Sequence, residues 1–392
     1  MHTPLTALVL SGGGSRGAYE AGAVLGVVEA LGLKPSDPAP FQVFSGTSVG
    51  ALNVTFLASK AQRGDMDVHR LAELWRSLRL SRHARLSTRA LLRRALIDLG
   101  PVEQLVRDAT DWPQLRHNLA QDTVAAVVIA SLHVGTGRTV LFADLAPGRT
   151  FGASRDPSRL PVLTQLTHDH VLASAAIPAV FPPRRIGKAL FYDGGLRFNT
   201  PIAPAIRAGA DRLLVVSPRY RPPLPEAPAA LQSVDALDDQ QGEAPDLTFL
   251  AGKMLDAVLL DPFAYDLEVL QRLNTFVRLL DESVSAENRA RFDAATIASR
   301  GQPYRQLETF VIAPTDDLGR IANDHIRAHR GAIARQGLLG LGLALLAGSE
   351  SSADSDLLSY LLFDGGFAGE LIELGRRDAL AQAEQLCAFF RR

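Results

Sequence analysis

Twice within its first 60 residues the chain ends a short apolar run in a glycine-rich turn that opens into a helical pattern. Residues 5–10 lead into Gly12-Gly13-Gly14-Ser15-Arg16-Gly17 and a helical stretch over about 18–31. Residues 41–44 lead into Gly46-Thr47-Ser48-Val49-Gly50, where Ser48 opens a second helix that runs to about Ala58. Strand, glycine turn, helix, then the same again, is the pattern of a parallel sheet with helices on its faces. The second strand is expected to end at Phe44.

Farther along, 67–119 reads as helical with an arginine-rich middle. Arg76, Arg79, Arg82, Arg85, Arg89, Arg93 and Arg94 follow one another without an acidic residue, at steps that put most of them on one helical side. Such a side is either a solvated face or a contact for anionic lipid headgroups. Residues 123–134 and 138–142 are β-rich and joined by Gly135-Thr136-Gly137, a hairpin signal. A helix then ends near Ala176, a short strand at 189–192 runs into Asp193-Gly194-Gly195, a helix covers about 201–209, and 213–217 closes the sheet-forming part. Residues 218–246 are rich in proline and then in acid, which marks a loop or linker. Beyond it the chain reads as mainly helical apart from a strand at 308–312. The expected organisation is a catalytic α/β unit at 1–217, the linker at 218–246, and a helical region at 247–392 packed on the first unit.

Of the 392 residues 47% are hydrophobic and 21% charged, with a net charge of −1, an ordinary globular composition. The near-neutral balance argues against nucleic acid as the main partner. The single cysteine, Cys387, allows neither an intrachain disulfide nor a cysteine metal cluster. The N-terminus lacks a basic segment before a long apolar run, so no signal peptide is read there. The longest apolar stretch, 337–348, falls well short of the roughly 20 residues that span a bilayer. It reads as a buried helix, with an interfacial membrane contact as the alternative. The expected location is cytoplasmic; oligomeric state is not legible.

The chemistry centres on Ser48. A serine in a G-x-S-x-G turn between strand and helix sits in a strained, exposed elbow at the positive end of a helix dipole. It needs a base within hydrogen-bond reach and donors aimed at the oxyanion. Backbone amides of the turn at 12–17, on the neighbouring strand, can supply those donors. Gly12, Gly14 and Gly17 also satisfy a dinucleotide fingerprint, but no acidic residue follows strand two, where the fold would need one. For the base, an α/β-hydrolase triad would use a late histidine, His325 or His329, yet these lie one turn apart on what reads as a polar helix face. Such a hydrolase also places several strands before its serine, whereas here the serine follows the second. His168-Asp169-His170 reads as surface polar rather than as a metal site.

Four blocks together resemble the patatin-like phospholipases: the turn at 12–17, Gly46-Thr47-Ser48-Val49-Gly50, Ala-Ser-Ala-Ala-Ile-Pro-Ala-Val-Phe-Pro-Pro at 173–183, and Asp193-Gly194-Gly195. Their order and spacing match over 5–217. The resemblance implies a three-layer α/β/α fold with a mostly parallel central sheet, followed by a mainly helical C-terminal part. It further implies a lipid acyl hydrolase with a Ser-Asp dyad. Ser48 would be the nucleophile and Asp193 the base, within the motif completed by Gly194 and Gly195. Gly46, Thr47, Val49 and Gly50 would shape the elbow. Gly12, Gly13, Gly14, Ser15, Arg16 and Gly17 would form the oxyanion turn, with Arg16 fixing that loop. A second Asp-Gly-Gly at Asp364-Gly365-Gly366 lies between two helical patterns and reads as a helix-to-helix turn. The dyad chemistry needs no metal or cofactor. Lipid is the implied substrate and a membrane or lipid-aggregate surface the implied contact. An esterase for small soluble esters and a noncatalytic lipid- or acyl-binding module on the same fold are the alternatives.

Overall fold

The computed structural model describes residues 4–83, 85–86, 97–98, 100–152, 156–178, 180–219, 261–300, 303–347 and 352–391. The arginines at 89, 93 and 94 and most of the proline-rich, acidic stretch at 218–246 lie outside them. The main sheet is built around β1 (Thr6–Leu10), flanked by β2 (Val43–Thr47) and β10 (Arg212–Val216), all parallel. Outward from these run β5 (Ala126–His133), parallel to β2, and β11 (Glu308–Ile312), parallel to β10. Beyond β5 come β6 (Thr139–Leu145), antiparallel, and β7 (Arg159–Leu163), parallel to β6. A hairpin of β8 (Arg184–Ile186) and β9 (Ala189–Asp193) docks on β5 through β9.

Parallel strands are covered on both faces and therefore carry apolar residues on both. In β1, Leu8 and Leu10 point into one core with α1 (Gly17–Leu31) and α2 (Val49–Ser59). Ala7 and Val9 point into the other, against Ile202 and Ala205 of the helix Ile202–Arg207. The period of two thus divides the molecule into helix, sheet and helix layers. The apolar α1 is sheathed on its outer side by the helix Gly365–Leu380. The contact is close because α1 presents Gly22, where a Cβ would meet the Ile372 carbonyl at 2.1 Å. Tyr19 of α1 donates from its hydroxyl to Asp378 at 3.0 Å, so the buried carboxylate of the second helix is satisfied across the junction.

Four local expectations change. Strand two continues past Phe44 to Thr47, because its polar residues are buried with partners: Ser45 Oγ donates to Pro201 O (2.8 Å) and Thr47 Oγ1 to Phe198 O (3.0 Å). The sheet does not close at 213–217, since β11 adds a further parallel strand from the C-terminal part. The described arginines of the run, Arg76, Arg79, Arg82 and Arg85, do not share one helical face. The helix α3 (Val68–Arg76) stops at Arg76, the Arg79 side chain donates to the Arg76 and Leu78 carbonyls, and Arg82 belongs to the short helix Leu80–His83. After it, β3 (Arg85–Leu86) and β4 (Ile97–Asp98) pair as a two-residue antiparallel ladder. The helix Leu338–Leu346 is not fully buried: Leu343 and Ala344 are inside, but Leu338 is 72% and Leu345 64% exposed. Among the described residues no helix is long and apolar enough to cross a membrane.

Candidate active site

Register on β5 brings the two key side chains together. Thr47, the last residue of β2, pairs with Ala130, and Asp193, the last of β9, pairs with Ser131. The two strands arrive from opposite directions along one edge of β5 and end next to each other. The Ser48 hydroxyl donates to Asp193 Oδ2 at 2.6 Å.

Ser48 caps α2 with φ 54° and ψ −125°, a conformation that L-residues adopt rarely and that surrounding contacts must hold. One such contact is the Ser48 amide, which donates to Ser174 Oγ (2.8 Å), while Ser174 Oγ donates to Ala130 O (2.6 Å). Ser174 therefore braces the elbow against β5. It lies in the block at 173–183, but nothing in that block marks it apart from its small neighbours. Gly46 and Gly50 face each other across the elbow, where a Cβ on Gly46 would meet Gly50 O at 2.5 Å. Thr47 and Val49 flank Ser48, both buried.

Asp193 is 1% exposed and Ser48 4%. Burial pushes the Asp193 carboxyl up to about 7, against the opposing pull of the Ser48 hydroxyl and the Gly195 amide. That amide donates to Asp193 Oδ1 at 2.7 Å, so each carboxylate oxygen has one donor. Gly194 follows in the turn with its backbone against β5, where an added Cβ would meet Ala130 O at 2.4 Å.

The glycine turn stands beside the elbow at the carboxyl end of the adjacent strand. A Cβ on Gly12 would lie 3.1 Å from Ser48 Cβ. The six residues of the turn differ in what their amides do. Gly12 N donates to Asn199 O, Arg16 N to Gly13 O, and Gly17 N to Gly14 O and Ser15 O. The amides of Gly13, Gly14 and Ser15 have no protein acceptor among the described residues. Asn199 also donates from Nδ2 to Gly12 O at 3.1 Å, so one residue holds both polar groups of the Gly12 peptide pair. Sequence reasoning missed Asn199, which has no motif signal beyond lying six residues after Asp193.

A cavity of about 130 Å³ opens on these groups. Gly14 and Ser48 line one end, and the remaining wall is almost wholly apolar, with Phe56, Leu74, Trp75, Leu78, Phe181 and Phe363 prominent. Asn53 is its main polar member; it accepts from Trp75 Nε1 (3.0 Å) and donates to Glu20 Oε2 (3.0 Å). Burial raises the Glu20 carboxyl well above the usual carboxylate range, against hydrogen bonds from Asn53 and the Ser11 amide.

The remaining candidates serve elsewhere. Asp364 caps the helix Gly365–Leu380, accepting from the Gly366 and Phe367 amides, and also takes Gln336 Nε2. His325 is not on a solvated face. It is buried between Asp364 (3.3 Å) and Glu370 (2.6 Å), while His329 is exposed. His170 is likewise buried, edge-on to Phe142, and closes a capping box with Thr167; burial lowers its pKa. Among the described residues no group of three or more His, Cys, Asp or Glu side chains is placed to hold a metal ion.

No curated protein matches the sequence significantly. Among solved structures, VipD from Legionella pneumophila is 12% identical with a TM-score of 0.34, over 93% of this chain and 91% of that one. Human GIVD cytosolic phospholipase A2 is 11% identical with a TM-score of 0.43, over 99% of this chain and 60% of that one. ExoU, in its complex with SpcU from Pseudomonas aeruginosa, is 16% identical with a TM-score of 0.29, over 97% and 76%. The profile of the patatin-like phospholipases matches residues 8–206, half of the chain, with the glycine turn, Ser48 and Asp193 inside the match, and the protein belongs to that family.

Proposed function

We propose that this protein is a serine lipid acyl hydrolase in which Ser48 is the nucleophile and Asp193 its base. The observation that carries the proposal is the 2.6 Å hydrogen bond from Ser48 Oγ to Asp193 Oδ2 at the end of an apolar cavity. A serine hydroxyl attacks an ester only if its proton is taken as the bond forms. With a carboxyl near 7, Asp193 is substantially ionised at neutral pH and basic enough to accept that proton. The Ser48 oxygen adds to the ester carbonyl, and the negative charge passes to the carbonyl oxygen. The free amides of Gly13, Gly14 and Ser15 are the proposed donors to that oxygen. Each such donor contributes about 3–4 kcal/mol to the transition state. Collapse of the adduct breaks the ester bond, the leaving alcohol takes the proton from Asp193, and an acyl-serine remains. A water then repeats the sequence: it gives its proton to Asp193 as it adds to the acyl carbonyl, and collapse releases the fatty acid while Asp193 returns that proton to Ser48 Oγ.

The lining of the cavity favours a long acyl chain over a short polar one, because aliphatic and aromatic walls gain by burying methylenes, at about 0.8 kcal/mol each. This is what separates the lipid reading from an esterase for small soluble esters. A noncatalytic lipid-binding module would have no use for the dyad. In the test, a fluorophosphonate probe should label wild type and not Ser48→Ala, and fatty acid should be released from phospholipid or lysophospholipid vesicles by wild type alone. Absence of labelling and of release across these substrates would sink the proposal.

A further inference from the structure

The glycine turn rests on more than the catalytic sheet. Its far side lies on the helix Ser352–Leu361, which falls outside the span matched by the family. Ser15 Oγ donates to Ser359 O (2.5 Å) and Arg16 Nε to Ser359 Oγ (2.7 Å). The Arg16 guanidinium carbon stands 4.1 Å from the centroid of the Tyr360 ring, with Nη1 3.4 Å from the Tyr360 hydroxyl. Gly14, at φ 56°, approaches the same helix so closely that a Cβ would meet Tyr360 O at 2.3 Å. Arg16, Ser359 and Tyr360 are all buried.

A glycine-rich turn has the most conformational freedom of any segment and no side chains to restrict it. Donors to an oxyanion act only if they are already aimed when charge develops. The order must come from outside the turn. At one end Asn199 holds Gly12; the three amides without acceptors, Gly13 to Ser15, lie between that anchor and the contact with 359–360. A buried guanidinium on an aromatic face is strongly held, since both groups are desolvated.

We propose that Ser359 and Tyr360 are positioning residues for the oxyanion turn, acting through Ser15 and Arg16, so that the C-terminal helix is a working part of the site. The inference rests on the acyl hydrolase reading for its effect on rate, but its structural half stands by itself. The alternative is that these contacts only fasten the helix to the body of the protein.

The test uses the full chain with Ser359→Ala, Tyr360→Leu and Tyr360→Phe. Four quantities are read: kcat and KM on one ester, fluorophosphonate labelling rate, Tm, and amide hydrogen exchange over 12–17. Ser359→Ala and Tyr360→Leu should each lower kcat and labelling about 10–100-fold with KM within about twofold, the size expected from misplacing reacting groups by about 1 Å. Exchange should quicken at Arg16 and Gly17, whose amides are bonded within the turn, while β1 and β2 stay protected. Tyr360→Phe, which keeps the ring under Arg16, should recover kcat to within about threefold of wild type. A loss of kcat accompanied by faster exchange throughout the sheet and a matching fall in Tm would overturn the proposal in favour of simple fastening. So would wild-type kcat and exchange in both disruptive variants. If wild type itself neither labels nor hydrolyses, the enzyme reading fails, and exchange at Arg16 and Gly17 alone then decides for or against the clamp.

Discussion

Ser48 and Asp193 meet because the residues that deliver them occupy consecutive positions on one edge of β5, Thr47 opposite Ala130 and Asp193 opposite Ser131. A dyad set by strand register has little play, since a slip of one residue would turn every side chain to the other face. The position also buries the carboxylate, and that has a cost which activity and stability should show in opposite directions. Asp193→Asn is expected to lower kcat by about 10²–10⁴-fold through loss of the base. It should at the same time raise Tm at pH 8. The carboxyl is shifted from 3.8 in the unfolded chain to about 7 in the folded one. A raised acid stabilises the fold fully below 3.8 and loses that contribution as pH rises through about 7. Above 7 the wild type carries a buried charge that the amide lacks. Thermal melts at pH 5 and pH 8, with kcat on one ester, check both halves.

The same value sets the pH profile. Because the base works ionised, kcat/KM should fall about tenfold per unit of pH below about 7 and level off above it. A profile flat from pH 5 to 8 would remove Asp193 from the role of base.

The fold was readable where the chain obeys local rules. Two strand–glycine–helix units announce a parallel sheet, and the elbow at Ser48 follows from Gly46 and Gly50. The pairing of Ser48 with Asp193 was legible only through resemblance, because no local signal says that a strand 145 residues away ends beside the elbow. Ser174 and Asn199 were missed for a related reason: each works through hydrogen bonds to backbone, which leave no pattern in the chain. Polar residues misled twice in the same way. Ser45, Gly46 and Thr47 look like a turn yet finish a buried strand, and His325 looks solvated yet sits in a charged cluster. In each case a partner distant in sequence satisfies the polar group, and burial follows.

Ser174 offers a test of how the strained elbow is held. In Ser174→Ala the Ser48 amide loses its acceptor inside the protein, at a cost of about 1–3 kcal/mol for an unsatisfied buried donor. Denaturant melts should register that loss. The rate should drop further than stability alone explains, by about tenfold in kcat, because the φ 54° geometry of Ser48 is no longer fastened to β5. An unchanged kcat would mean that the elbow is held by its glycine packing instead.

The His325 cluster should make one wall of the cavity sensitive to alkaline pH. Burial lowers the histidine pKa, but hydrogen bonds and charge from Asp364 and Glu370 outweigh it and raise the value to about 9. A raised histidine contributes stability that is full below 6.5 and lost as pH rises through about 9. His329 stacks on His325 from the same helix, with 4.5 Å between ring centroids. Asp364 lies next to Phe363 of the cavity wall, and Gly365 N donates to the carbonyl of Leu78, also of that wall. The difference in Tm between wild type and His325→Gln should therefore be large at pH 6 and small at pH 10. A difference that does not change with pH would assign the residue to packing alone.

Attachment to lipid is the last expectation, and it concerns the helix Leu338–Leu346. Leu338, Leu341 and Leu345 are exposed while Leu343 and Ala344 anchor the helix from inside. The helix packs beside Leu80–His83, directly after Leu78 of the cavity wall, and Gln336 accepts from the Leu80 amide at 3.0 Å. Exposed arginines come from its neighbours: Arg82 from Leu80–His83, Arg330 from the short helix Arg330–Ala334, and Arg335 from the turn that follows it. Leucines flanked by cations suit one occupant, the surface of an anionic bilayer, where side chains of each type gain. Leu338→Ser with Leu345→Ser should weaken binding to vesicles at least tenfold, since each buried leucine contributes about 1.5–3 kcal/mol. Arg82→Glu with Arg335→Glu should weaken binding to phosphatidylserine vesicles, at about 1 kcal/mol per cation, but leave phosphatidylcholine vesicles unaffected. High salt should erase that second difference and spare the first. Hydrolysis of a dispersed short-chain ester should be unaffected in both double variants, because none of these side chains lines the cavity. Vesicle sedimentation and a soluble-ester assay on the same preparations decide it. Equal sedimentation of wild type and the leucine variant would show that the protein meets lipid through another face.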